Sequence, residues 1–273
     1  MALEVDHLRA GYGKREVLAD VTFRAEGGML TALLGANGCG KTTLLKALCR
    51  QLPCEGSVRI DGTPLHTLSH RALARQVSYI PQRSGIGISL PALEVVLMGF
   101  NPVLGLLEHP SAAQRQRALE ALAAVGLADR AGEDHQRLSE GQKQLCILAR
   151  TMVEDARLLL MDEPESSLDL RHRHQIMRLL SGLVTSSGKA CVVTLHDPAL
   201  ALAYCKRLVL LRDGACIAVL HPETDSLSRM QEALAEIYGP IRLIRAEGQL
   251  IMLPATDSEG GTHAIDDPHR AAR

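Results

Sequence analysis

The sequence predicts an α/β protein built around a buried parallel sheet. Three observations carry that reading. Short, nearly continuous apolar runs at 30–34, 77–80, 158–161, 190–195 and 207–211 have strand length and are bounded by turn or polar residues. Such runs fit strands covered on both faces, as parallel strands are. Helical patterns at 42–49, 112–125, 140–153 and 170–184 lie between them, and strands alternating with helices indicate the α/β class. The chain's 273 residues, 46% of them hydrophobic, suffice for one large domain or a domain with a sizeable insertion.

The remaining segments fall around that core. Residues 3–23 and 56–60 read as short antiparallel strands joined by turns. From 83 to 149 the pattern is mostly helical after a Gly/Pro-rich approach (Gly85, Gly87, Pro91, Pro102), which predicts a helical insertion. Residues 254–273 are polar and rich in Gly, Asp and His, and a disordered tail is expected there. The sequence contains no internal repeat.

Composition excludes several function classes. The net charge of -1 provides no basic excess to neutralise a nucleic-acid backbone. With no Trp and only 2 Phe, a base-stacking platform is not expected either. No run approaches the roughly 18 apolar residues of a membrane-spanning helix. The acidic start, with Glu4 and Asp6, lacks an apolar signal core, so no signal peptide is expected. The 7 cysteines form no CxxC pair, which fits reduced thiols better than disulfides or a zinc site.

The chemistry begins at 35–42. Gly35, Gly40, Lys41 and Thr42 satisfy G-x-x-x-x-G-K-[ST], directly after an apolar run and directly before a helical pattern. Gly35, Gly38 and Gly40 let the backbone curl so that N–H groups face a phosphate. The following helix adds its positive dipole end. Lys41 is expected to reach the β- and γ-phosphates, and the Thr42 hydroxyl to coordinate Mg2+. By itself this loop fits several nucleotide-using classes, kinases, GTPases and helicases among them.

A buried strand at 158–161 runs straight into Asp162 and Glu163. Ligands of open α/β sheets bind outside the carboxyl ends of strands. Asp162 is therefore a candidate for the magnesium shell and Glu163 for the general base that polarises the attacking water. Two other strand ends deliver Gln82 and His196 to the same edge, and His196 is expected to contact the γ-phosphate. Ser139 followed by Gln142 reads as a capping box that starts a helix and exposes N–H groups, and Gly141 gives a phosphate room to approach.

The segment Leu138, Ser139, Glu140, Gly141, Gln142 resembles the ABC signature LSGGQ, with Glu140 in place of its first glycine. The order of motifs is also that of ABC transporter ATPases over roughly residues 3–220: aromatic A-loop, phosphate loop, Gln loop, signature, Asp-Glu strand, D-loop and His switch. The resemblance implies a P-loop NTPase (RecA-like) core with a parallel sheet, an N-terminal antiparallel β subdomain and a helical insertion. The implied division is 1–82 for the first part of the core, 83–150 for the helical subdomain, 151–225 for the rest of the core and 226–273 for a C-terminal extension with a flexible tail.

It also implies roles. Tyr12 would stack on adenine. Asn37, Gly38, Cys39, Gly40, Lys41, Thr42 and Thr43 would surround the phosphates of ATP. Gln82 would sense Mg2+ and the γ-phosphate and relay this to the insertion. Ser139, Gly141 and Gln142 would contact ATP held by a second copy of the chain in a head-to-tail dimer, and Asp169 belongs to the D-loop, 166–169, that crosses that interface. Glu165 stands where the family usually has Thr.

The implied partners are integral-membrane permease subunits and, indirectly, a substrate-binding protein, with the chain peripheral on the cytoplasmic side of the membrane. No nucleic-acid partner is expected. Segments such as 28–35, 95–99 and 196–201 are similar to the subfamily that imports iron–siderophore complexes, haem and cobalamin. Other metal importers, exporters and soluble ABC ATPases are the alternatives. The apolar stretches 93–100 and 104–107 are candidates for the permease contact. Cys39, beside Lys41 and a helix start, is a candidate reactive thiol whose modification blocks nucleotide binding.

Overall fold

A computed structural model describes residues 2–82, 86–105, 107–166 and 168–255. Strands β1 (Ala2–Tyr12) and β2 (Arg15–Glu26) form an antiparallel pair closed by a tight turn at Tyr12 and Arg15. Alternate residues Leu3, Val5, Leu8 and Ala10 of β1 are buried, the period-two pattern of a sheet with one face covered. The pairing shifts register between Val5 and Leu8, where His7 takes φ 49°. Strand β3 (Leu30–Leu34) and helix α1 (Lys41–Leu48) flank the phosphate loop.

Next come β4 (Cys54–Ile60), β5 (Thr63–Pro64), α2 (His70–Gln76) and β6 (Val77–Ile80). The helical region then contributes α3 (Ala92–Leu97), α4 (Ala112–Ala124) and α5 (Glu140–Val153). The chain returns to the sheet through β7 (Leu158–Asp162), α6 (Leu170–Ser187), β8 (Ala190–Thr194), α7 (Pro198–Tyr204), β9 (Arg207–Arg212) and β10 (Ala215–Leu220). It ends with α8 (Leu227–Tyr238) and the hairpin β11 (Ile241–Ala246) and β12 (Gln249–Pro254).

The main sheet has the order β5-β4-β1-β2-β10-β9-β3-β8-β7-β6. Strands β9, β3, β8, β7 and β6 are parallel neighbours, whereas β5, β4, β1 and β2 are antiparallel. Strand β10 joins the two parts, antiparallel to β9 and bridged to β2 at Ala215 and Asp20. The apolar runs follow from burial on both faces. Leu159 and Met161 of β7 enter one core with the helical region, and Leu158 and Leu160 enter a second core with α1, β1 and β2. Burying such a side chain contributes about 1.5–3 kcal/mol, so polar replacements on either face are costly.

Parts of the sequence reading change here. The stretch 93–100 is mostly core: Leu93, Val95, Val96, Leu97 and Phe100 are buried and only Met98 is exposed. Its apolar character serves packing of α3 against α4 and α5, so it is not a docking face. Leu107, in contrast, is 90% exposed. Within 226–273, α8 buries Met230 and Leu234, and Leu243 of the hairpin is also buried. Residues 83–85 at the start of the insertion, Leu106, Ser167 of the D-loop and 256–273 of the expected tail lie outside the described residues. No helix among the described residues is long and apolar enough to cross a membrane.

Candidate functional site

The loop after β3 is held close to the sheet. A Cβ at Gly35 would lie 2.3 Å from the Leu211 carbonyl oxygen and 2.5 Å from Cys39 Sγ, so no larger residue fits. Gly40 precedes α1 with φ 108°, a conformation that L side chains rarely adopt. The first intrahelical bond runs from Leu44 N–H to Gly40 O at 2.8 Å. The N–H groups of Lys41, Thr42 and Thr43 are thus the free donors of the first turn. Lys41 is buried, and its Nζ donates to Gly35 O at 2.7 Å and Ala36 O at 3.3 Å. A cleft of about 140 Å³ opens on the loop, lined by Asn37, Gly38, Gly40, Lys41, Thr42, Thr43 and Glu163. A cation, free first-turn donors and a helix start facing one small polar cleft suit a phosphate chain.

The carboxylates arrive from adjacent strands. Asp162 ends β7 opposite Thr194 of β8. The Thr194 hydroxyl donates to Asp162 Oδ1 at 2.9 Å and accepts from the Glu163 N–H at 2.8 Å. Thr194 therefore locks the pair in place. Sequence reasoning missed it, although a hydroxyl inside the fully buried run 190–194 was a signal. Glu163 has φ 49°, a strained conformation for a non-glycine residue that turns it off the strand. Its Oε1 lies 2.6 Å from His196 Nε2, and its Oε2 accepts from Gln82 Nε2. The ends of β6, β7 and β8 thus bring Gln82, Glu163 and His196 together, and Glu163 reaches the phosphate loop.

Glu165 adds a contact from behind. It is 2% exposed, and its Oε1 accepts from the His196 N–H at 3.0 Å. Its Oε2 has no partner among the described residues. Burial pushes this carboxyl above the usual carboxylate range; the His196 N–H bond opposes the rise and nearby Glu163 adds to it.

The segment that resembles the signature forms its own structure. Ser139 Oγ accepts from Gln142 N–H at 3.3 Å, and Gln142 Oε1 accepts from Ser139 N–H at 3.0 Å, which is the capping box expected from the spacing. The Glu140 carboxylate is drawn sideways to Lys143 Nζ at 2.8 Å. Gly141 faces the His172 ring, which would lie 2.9 Å from an added Cβ. His172 in turn lies 2.9 Å from Asp169 Oδ1, and Asp169 caps α6. None of Ser139, Gly141, Gln142 and Asp169 lines the phosphate cleft of its own chain. Tyr12 is half exposed at the end of β1, where Gly11 and Gly13 border a separate cleft of about 320 Å³.

Cys39 requires a correction. Its side chain is buried in the core beneath the loop and is absent from the cleft lining. Burial pushes the thiol up more than nearby Lys41 pulls it down. Desolvation therefore outweighs the helix and the cation, and the activated thiol suggested by the sequence is not what the fold produces.

Comparisons with known proteins agree with this geometry. The ABC transporter family model matches residues 18–166, more than half of the chain. A hemin import ATP-binding protein, HmuV of Streptomyces coelicolor, is 38% identical over 252 residues, covering 90% of this chain and 88% of that protein. A metal-chelate type ABC transporter solved in an inward-facing conformation superposes with TM-score 0.77 at 25% identity, covering 92% of this chain and 96% of that one. A dimeric ATP-binding cassette solved in a post-hydrolysis state with ADP and Pi gives TM-score 0.68 at 27% identity, covering 81% of this chain and 98% of that one. With the phosphate loop, the Asp162–Glu163 pair and His196 converging on one sheet edge, the chain belongs to the ABC transporter family, among its ATP-hydrolysing cassettes.

Proposed function

We propose that this chain is the motor of a membrane importer that hydrolyses Mg-ATP between two copies of itself and moves an iron chelate or a related metal chelate. The observation that carries the proposal is the Glu163 carboxylate, held between His196 and Gln82 at the edge of the cleft that Lys41 borders.

The roles rest on position together with the resemblance to ABC cassettes, which alone gives Tyr12 its part. The first-turn donors and Lys41 bind the β- and γ-phosphates, and Tyr12 stacks on the adenine. Glu163 takes the proton of the attacking water, and His196 orients that carboxylate and meets the γ-phosphate. Thr42, Asp162 and the free Gln82 oxygen suit magnesium, which favours a few hard oxygen donors and keeps much of its water. When bound, that cation neutralises charge developing on the transferred phosphoryl group.

Ser139, Gly141 and Gln142 at the first turn of α5 do not line the cleft of their own chain, which supports a partner copy supplying this anion site to the facing nucleotide. ATP then joins two faces that separate after hydrolysis. This agrees with the dimeric cassette to which the chain is similar. Leu107, in the stretch 104–107 and 90% exposed, is the proposed permease contact. The cargo class rests on similarity to a hemin import protein and a metal-chelate type transporter.

The test is reconstitution. Co-purified with its integral-membrane partner and placed in liposomes, the chain is expected to drive ATP-dependent uptake of haem or a ferric siderophore. Coupled hydrolysis with uptake of none of haem, a ferric siderophore and cobalamin contradicts the cargo assignment. A chain that captures no membrane partner contradicts the transport assignment.

A further inference from the structure

Glu165 lies outside the groups that meet nucleotide, yet it closes a loop of contacts around them. Glu163 Oε1 is 2.6 Å from the His196 imidazole, and the His196 N–H donates to Glu165 Oε1 at 3.0 Å. The Ser166 N–H donates to Glu163 O at 3.0 Å, so both carboxylates belong to one tight turn. The chain leaves β8 at Thr194, and the Leu195 N–H still finds Leu33 O at 3.3 Å. One residue later the His196 peptide has left the ladder, and the acceptor it finds is this carboxyl.

A carboxyl that is 2% exposed, with its second oxygen unpartnered, is costly to keep in an apolar setting. The fold retains it against the backbone of the one imidazole that touches Glu163. We infer that Glu165 is a positioning residue for hydrolysis: by accepting the His196 N–H it fixes the imidazole against the Glu163 carboxylate. The inference rests on the proposed hydrolytic roles of Glu163 and His196. It assigns Glu165 no contact with nucleotide. The required property is an acceptor of the right reach rather than a charge, so an amide serves as well as a carboxyl.

The experiment compares Glu165→Gln, Glu165→Met and Glu165→Leu with wild type, scoring steady-state ATP hydrolysis, KM for ATP and thermal unfolding. Glu165→Gln keeps an acceptor and is expected to stay within about two-fold of wild-type kcat. Glu165→Leu has no acceptor and Glu165→Met only a weak thioether sulfur, and both are expected to lose about ten-fold or more in kcat with KM for ATP little changed, since small misplacements of reacting groups cost up to about 100-fold. The two apolar variants guard against one failing to fold, and a general loss of structure would raise KM and lower the melting temperature together. Wild-type kcat in a folded acceptor-free variant overturns the inference, and so does Glu165→Gln as slow as Glu165→Met. Glu163→Gln is run alongside: full turnover there removes the underlying reading instead.

Discussion

His196 Nε2 lies 2.6 Å from Glu163 Oε1, and Gln82 occupies the other oxygen of the same carboxylate. His196 and Glu163 come from neighbouring strand ends and meet because β7 and β8 are parallel neighbours. Replacing His196 with Ala frees one side of Glu163 and leaves the phosphate loop untouched. Hydrolysis is expected to fall by about 100-fold or more, in the range of general acid–base groups. Equilibrium binding of a fluorescent ATP analogue, measured beside phosphate release, should show affinity preserved.

Thr194 offers a test of the scaffold. Thr194→Val keeps the shape but removes the hydroxyl that serves Asp162 Oδ1 and the Glu163 N–H. Leaving buried polar partners unpaired costs about 1–3 kcal/mol, so the denaturation midpoint should drop visibly. Turnover should also fall, because Glu163 loses the anchor of its strained backbone. Urea unfolding and ATPase assays on the same preparation check both expectations.

Burial of Glu165 makes a pH statement. Its carboxyl is held above the ordinary range in the folded chain, so the folded state binds more protons than the unfolded state between the two values. That contribution to stability is fully present below the unfolded value and is lost as pH rises through the folded one. The groups facing it are Glu163 and His196, with the buried Cys205 behind. Glu165→Gln is therefore expected to raise the melting temperature more at pH 8 than at pH 5. Differential scanning fluorimetry across that range reads the difference.

Thiol chemistry should spare the phosphate loop. Burial pushes both the Cys39 and the Cys54 thiol up, but Cys39 is buried whereas Cys54 is exposed. Brief treatment with an alkylating reagent is expected to label Cys54 before Cys39 and to leave ATP hydrolysis intact. Peptide mapping of the labelled protein, paired with activity, decides this.

Much of the architecture was readable because buried parallel strands leave a coarse mark. The runs at 30–34, 158–161 and 190–195 became β3, β7 and β8, and α5 begins and ends where the capping box and apolar period place it. The phosphate loop was legible because Gly35 and Gly40 answer a local steric demand. Contacts between strands were not. Thr194 looked like one more strand residue until its register with Asp162 was known. Glu165 stood out in sequence only as a departure from the usual Thr, and its contact with the His196 peptide is visible only in the fold. Cys39 misled because the cation and helix beside it are visible in sequence, while the burial that outweighs them is not.

The most direct test is Glu163→Gln, read by light scattering with Mg-ATP together with phosphate release. The variant is expected to hold ATP, to run as a stable dimer only when ATP is present, and to lose about 100-fold or more of its hydrolysis. A monomer that still turns over ATP at the wild-type rate would contradict the account, since neither the carboxylate at 163 nor a nucleotide shared between copies would then be needed.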